Sequence, residues 1–219
     1  MARYKLSAAI LCGGQSTRMG FDKAMLRLGR GQGQYLLKII ANQLLERFSE
    51  VLLVTDMPEK LAQIGGLSDC RIVVDLQPRV GLVGAVQTAI HYCSYRGVFV
   101  LPCDMPEIAW SLLEYICDIS VSGPTLLANN HDEKSLSQLG NYDAIVSTHD
   151  GFIEPLFSLY FRSAMMAFDR AVDEGEKTVR NVYGRLRVRY IDPQKVDLEI
   201  ENINNVNLPN ELDAFDLSR

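Results

Sequence analysis

Leu6-Ser7-Ala8-Ala9-Ile10-Leu11-Cys12 runs straight into Gly13-Gly14-Gln15-Ser16-Thr17-Arg18-Met19-Gly20-Phe21-Asp22-Lys23. The first segment is almost continuously apolar, the pattern of a strand buried on both faces of a parallel sheet. The second is a glycine-rich turn at the carboxyl end of that strand, where open parallel sheets place their ligand crevice. Glycines let the backbone approach a ligand closely, and their N–H groups can cradle phosphate oxygens. Ser16 and Thr17 add hydroxyl donors, Arg18 a planar fork and Lys23 a point charge. Together they describe a triphosphate site. An ordinary glycine-rich connection with two solvated cations explains Gly13-Gly14 alone, but not the hydroxyls, arginine and lysine gathered around it.

Two familiar phosphate motifs do not fit. A G-x-x-x-x-G-K-[ST] loop needs lysine directly after its last glycine, and here Phe21 follows Gly20. The G-x-G-x-x-G fingerprint is missing from this turn, which argues against an NAD-type dehydrogenase. Gly29-Arg30-Gly31-Gln32-Gly33 offers spaced glycines but follows no buried strand, and reads as a surface loop.

Outward from the turn, the apolar pattern recurs. Residues 51–55, 71–74 and 98–103 read as further buried strands. Leu36, Leu37, Ile40, Leu44, Leu45 and Phe48 recur at helical spacing, and 82–95 and 108–116 give two more helices. This alternation implies right-handed crossovers and a doubly wound, mostly parallel α/β sheet. The second half is less regular. Residues 122–141 read as a long surface loop, 142–146 and 157–161 as strands, 162–174 as a helix and 186–191 as a late strand. With no repeat or low-complexity tract, one domain over 1–219 is expected.

The formal charge of -5 opposes a dedicated nucleic-acid binder, which carries a basic footprint. Cys12, Cys70, Cys93, Cys103 and Cys117 form no C-x-x-C pair, so small apolar residues in a reducing cytosol are expected rather than a disulfide or zinc framework. The apolar run from Leu6 stops at Gly13, too short for a signal peptide. No later run reaches the roughly 18 apolar residues of a membrane helix. A cytoplasmic protein without a membrane partner is the expectation.

Leu11 to Lys23 resembles the opening motif L-x-G-G-x-S-x-R-M-G-x-D-K of the molybdenum cofactor guanylyltransferase family at every fixed position. The Gly13-Gly14 pair favours that family over related cytidylyltransferases, which show Ala-Ala-Gly or Ala-Gly there. The resemblance continues through Asp75, then Val80-Gly81-Leu82-Val83-Gly84 against G-P-L-A-G, and Leu101-Pro102-Cys103-Asp104-Met105-Pro106 against P-C-D-x-P. Ile153 to Tyr160 resembles the acceptor-side strand, and Asn205-Val206-Asn207-Leu208-Pro209-Asn210-Glu211-Leu212 the C-terminal N-[IV]-N-T-P-E-[ED]-L. The sequence departs from the family in the worn 80–84 turn, in lacking G-K-P-L near 29–34, and in Leu208 for threonine.

The resemblance implies a three-layer, nucleotide-diphospho-sugar transferase-like (Rossmann-like) fold, with nucleotide bound by the N-terminal part and acceptor by the C-terminal part. It implies transfer of GMP from GTP to molybdopterin, with Mg²⁺ as cofactor and molybdoenzymes or other cofactor-biosynthesis proteins as partners. It assigns Arg18, Lys23 and Asp104 to catalysis. Leu11, Cys12, Gly13, Gly14, Ser16, Thr17, Arg18, Lys23, Asp75 and Gly84 are assigned to the nucleotide, and Asp104 with Asn207 (less readily Asn205) to the metal. Taken alone, Asp104 also fits a turn-forming or helix-capping role, and the asparagines fit a cap before Pro209. Asp75 faces base or ribose, or ends a strand. Lys177 and Arg180 meet an anionic acceptor, or lie on a solvated helix start. His91, His131 and His149 lack metal-ligand spacing and receive no role. Competing readings are a sister transferase making a cytidylyl cofactor, a nucleotide sugar or a guanylylated phospholactate, and a non-catalytic nucleotide-binding regulatory module.

Overall fold

A computed structural model gives the fold and describes residues 3–13, 22–28, 33–122, 142–149, 151–196 and 198. Of the loop expected over 122–141, Ser122 ends a helix instead and 123–141 lie outside the described residues, as does the C-terminal block from 199 onward.

The first strand, β1 (Tyr4–Leu11), lies inside a seven-stranded sheet. A short antiparallel ribbon, β2 (Arg27–Leu28) with β3 (Gln34–Tyr35), leads into α1 (Leu36–Leu45). Next come β4 (Phe48–Thr55), α2 (Pro58–Leu61), β5 (Arg71–Val74), α3 (Leu82–Tyr92), β6 (Gly97–Pro102) and α4 (Trp110–Ser122). The remainder holds β7 (Ala144–His149), β8 (Phe152–Phe161), α5 (Met165–Asp173), α6 (Val179–Val182) and β9 (Val188–Ile191). The strand order is β5-β4-β1-β6-β8-β7-β9, and all run parallel except β8, which is antiparallel to both β6 and β7.

Side-chain alternation divides the interior into two cores. Ala8, Ile10, Leu53, Phe99 and Leu101 face one side and pack beneath α1 and α4. Ala9, Leu11, Leu52, Val54, Val98 and Val100 face the other, beneath α3 and α5. Three layers result, as expected of a doubly wound sheet. Strands β1, β4 and β6 are buried on both faces, which is why they read as apolar runs rather than as alternation.

The differences from the sequence reading are local. Phe48 continues the helical period of α1 but opens β4, because Arg47 N–H closes back on Leu44 O at 3.0 Å and ends the helix. The helix expected over 108–116 starts at Trp110 and runs to Ser122, while 82–95 stops at Tyr92. Strand β8 begins at Phe152, five residues ahead of the expected 157, in a partly buried stretch that lacks a clean apolar signal. Among the described residues, no helix is long and apolar enough to cross a membrane.

Candidate active site

Four strands of the parallel half end at one edge, and each delivers a candidate residue there: Gly13 after β1, Asp56 after β4, Asp75 after β5 and Asp104 after β6. Registers Leu11↔Val54, Leu11↔Pro102 and Thr55↔Val74 hold these tips side by side. Cys12 N–H donates to Val54 O at 2.7 Å and Asp75 N–H to Thr55 O at 2.8 Å, extending the ladder one residue past β1 and β5. A Cβ on exposed Gly13 would lie 3.4 Å from Asp56 Oδ1, so a side chain there would fill the space between the two tips.

Asp104 is the centre of the site. Its side chain is only 7% exposed, and its Oδ2 accepts from the Lys23 ammonium. These residues are 81 positions apart in sequence. Lys23 is aimed by its neighbour: Asp22 Oδ1 accepts from Ala24 N–H at 3.1 Å and so caps the short 3₁₀ turn Lys23–Met25. Asp22 Oδ2 in turn accepts from the Lys60 ammonium at 2.8 Å, tying the turn to α2. Cys12, Asp22, Thr55, Asp56 and Lys60 border a small cleft of about 20 Å³. Sequence reading gave no role to Asp22, Asp56 or Lys60. The signal available for Asp56 was its position just past a buried strand next to β1, the same rule that found Gly13.

Asp75 is buried, and its Oδ1 accepts from Gln77 N–H at 2.9 Å and from Thr88 Oγ1 at 3.1 Å. Burial pushes its carboxyl up from the usual range and the charge of Asp56 adds to this, while the two hydrogen bonds pull the other way. Gly84 is packed against the same loop, since an added Cβ would fall 2.5 Å from Gln77 O. That close approach is a packing reason for glycine at 84.

Residues Glu154, Pro155, Leu156, Lys177, Thr178 and Arg180 line a groove of about 320 Å³ at the same edge. Because β8 runs against β6, with Val100 opposite Ser158, its lower-numbered residues extend beyond the carboxyl end of β6. Leu82, the first residue of α3, closes the groove. Arg180 Nη2 donates to Ile153 O at 2.9 Å, pinning the 176–180 turn to β8.

Lys23, Asp104, Leu11, Cys12, Gly13, Asp75 and Gly84 thus gather at one edge of the sheet. Gly14, Ser16, Thr17, Arg18, Asn205 and Asn207 lie outside the described residues. All five cysteines are buried and in no disulfide, and burial pushes the Cys12 and Cys117 thiols well above their usual range, as expected of small apolar residues. Among the described residues, no cluster of three or more His, Cys, Asp or Glu side chains is arranged for a metal. A hard divalent cation at Asp104 would take that carboxylate as one ligand, with phosphate oxygens and water able to supply others. Magnesium accepts that donor set, so Asp104 fits it.

The model of the MobA-like NTP transferase domain matches residues 8–189. The chain is 27% identical over 210 residues to a probable molybdenum cofactor guanylyltransferase of Pelotomaculum thermopropionicum, covering 94% of this chain and 89% of the relative. A second protein of that description, from Methanothermobacter thermautotrophicus, is 27% identical over 94% of this chain and 96% of its own length. Among solved structures, the molybdopterin-guanine dinucleotide biosynthesis protein A of Archaeoglobus fulgidus superposes with a TM-score of 0.70 at 22% identity, covering 95% of this chain and 96% of its own.

Proposed function

The chain belongs to the MobA-like NTP transferase family, and we propose that it transfers GMP from GTP to the terminal phosphate of molybdopterin, releasing pyrophosphate. The observation that carries the chemistry is the meeting of Lys23 and Asp104 at the carboxyl edge of the parallel strands. The names of the relatives support the choice of guanine and of the pterin acceptor.

An acceptor phosphate that is already an anion needs no strong general base to attack the α-phosphorus of GTP in line. Catalysis then rests on positioning and charge neutralisation. Lys23 offers an ammonium to the triphosphate, and the backbone from Gly13 and the Arg18 guanidinium share that task. Asp104 would hold Mg²⁺, with Asn207 assisting; the ion supplies charge neutralisation at the phosphate oxygens. Asp56 and Asp75 present carboxylate acceptors at the tips of β4 and β5, suited to the N–H and O–H donors of guanine and ribose. Lys177 and Arg180 give the 320 Å³ groove a cationic wall for the anionic acceptor. In this reading the N-terminal part holds nucleotide, the C-terminal part holds acceptor, and 1–219 acts as one unit.

Thermal unfolding with GTP, CTP, ATP and UTP, each with and without Mg²⁺, tests the nucleotide half. A ligand at 100 times its dissociation constant adds about 2.7 kcal/mol. A selective shift with Mg-GTP is expected, followed by pyrophosphate release on adding molybdopterin. Selectivity for another triphosphate would move the protein to a sister activity, and no shift with any of them would overturn the nucleotide site itself.

A further inference from the structure

The counter-ion that the fold gives Asp104 is a lysine of the same chain. We propose that Lys23 holds the divalent-cation position of Asp104 until a triphosphate draws it away, so that nucleotide and metal load together rather than independently. The inference rests on the triphosphate reading of the site, though not on the identity of the base or acceptor.

A carboxylate that is 7% exposed needs a cation close by, because desolvated charge is costly unless paired. Lys23 meets that need from a side chain that is itself 25% exposed and therefore reachable from outside. Its backbone is held by the turn that Asp22 caps, and Asp22 also pairs with Lys60. What can move is the flexible four-carbon stem, which sweeps the ammonium between two anionic partners. While the ammonium sits on Oδ2, a divalent cation must approach a carboxylate already neutralised and a like charge beside it. Triphosphate oxygens offer the ammonium a stronger competing anion. Once it transfers, the carboxylate is left with a deficit that only another cation can fill. Nucleotide and cation affinities are then coupled, and the coupling is reciprocal.

The test uses Mn²⁺ as the probe for the cation, with protein-bound metal read by water-proton relaxation on the full chain. Wild type should bind Mn²⁺ weakly alone and at least about 10-fold more tightly with inorganic tripolyphosphate, which carries no base, after correction for the Mn²⁺–tripolyphosphate complex. K23M and K23Q should bind Mn²⁺ at least about 10-fold more tightly than wild type without any phosphate, and should lose most of the coupling. Adding D104N to either should abolish the gain. Unchanged Mn²⁺ affinity in both lysine variants, or a gain that survives D104N, would overturn the proposal. Should the variants fail to fold, absence of tripolyphosphate coupling in wild type overturns it by itself. Coupling with tripolyphosphate but none with GTP would leave the exchange standing and remove the GTP assignment instead.

Discussion

At Asp104 the carboxylate is buried, already accepts from Lys23 and lies just past the end of β6. Asp104→Ala should lower pyrophosphate release by at least about 100-fold, the usual order when a charge-stabilising group is removed. Lys23, being a quarter exposed, can turn to solvent, so the fold should survive. Near-normal turnover would sink the metal assignment. Asp75 gives a pH-dependent counterpart. Its folded carboxyl is raised above the unfolded value of about 3.9, so the folded state keeps a proton that the unfolded chain gives up. This carboxyl's contribution to stability is thus fully present below that pH and is lost as pH rises through the folded value. Asparagine keeps an Oδ1 for Gln77 and Thr88 without the charge. The melting temperature of Asp75→Asn relative to wild type should therefore climb as pH rises above about 4; a flat difference would show that burial does not govern this carboxyl. Residue chemistry was partly legible in advance. Lys23 stood out because a glycine-rich turn after a buried strand announces itself, whereas Asp104 on its own residues fitted a turn or cap equally well and was singled out through the family resemblance. Their contact was not legible, since nothing local links residues 81 apart. Asp22 was hidden for the opposite reason: its work is a cap and an ion pair, both created by the fold.

Among the elements, the buried strands were readable from their continuous apolar runs, whereas the reversal of β8 was not. Strand direction is set by which neighbour offers a ladder, and the side-chain pattern is the same either way. The first half of β8, with Glu154 and Pro155, carries no clean period because it lines a groove instead of filling a core. The helix α3 depends on a small residue in its first turn. Gly84→Ala would gain roughly 1 kcal/mol of helix propensity. It would also force a methyl to within 2.5 Å of the Gln77 carbonyl, and backbone cannot rotate out of the way as a side chain can. A net loss of about 1–2 kcal/mol is expected, a fall of roughly 2–8 °C in melting temperature for a chain of this size. An unchanged or higher melting point would mean that the 75–80 loop yields easily.

For the whole molecule, the reading divides labour between the parallel half-sheet with its nucleotide edge and the β8–β7–β9 side with its groove. Lys177→Ala should raise the acceptor KM by at least about 10-fold, as for a lost charged hydrogen bond, while leaving stabilisation by Mg-GTP unchanged. Equal damage to both would show that the halves are not separable, and no effect on either would remove the groove from the acceptor path. Arg180→Ala is a less clean probe, because its guanidinium also fastens the turn to β8. The reversed strand has a further consequence. Strand β6, with Val98 to Leu101 fully buried, is covered on one side by β1 and on the other by β8, which is synthesised some fifty residues later. At about 5–20 residues per second, the ribosome needs several seconds to make that cover. During those seconds the nascent chain presents an unpaired, wholly apolar ladder to any other chain nearby. The strand that leads to Asp104 is therefore also where crowded nascent chains should begin to aggregate.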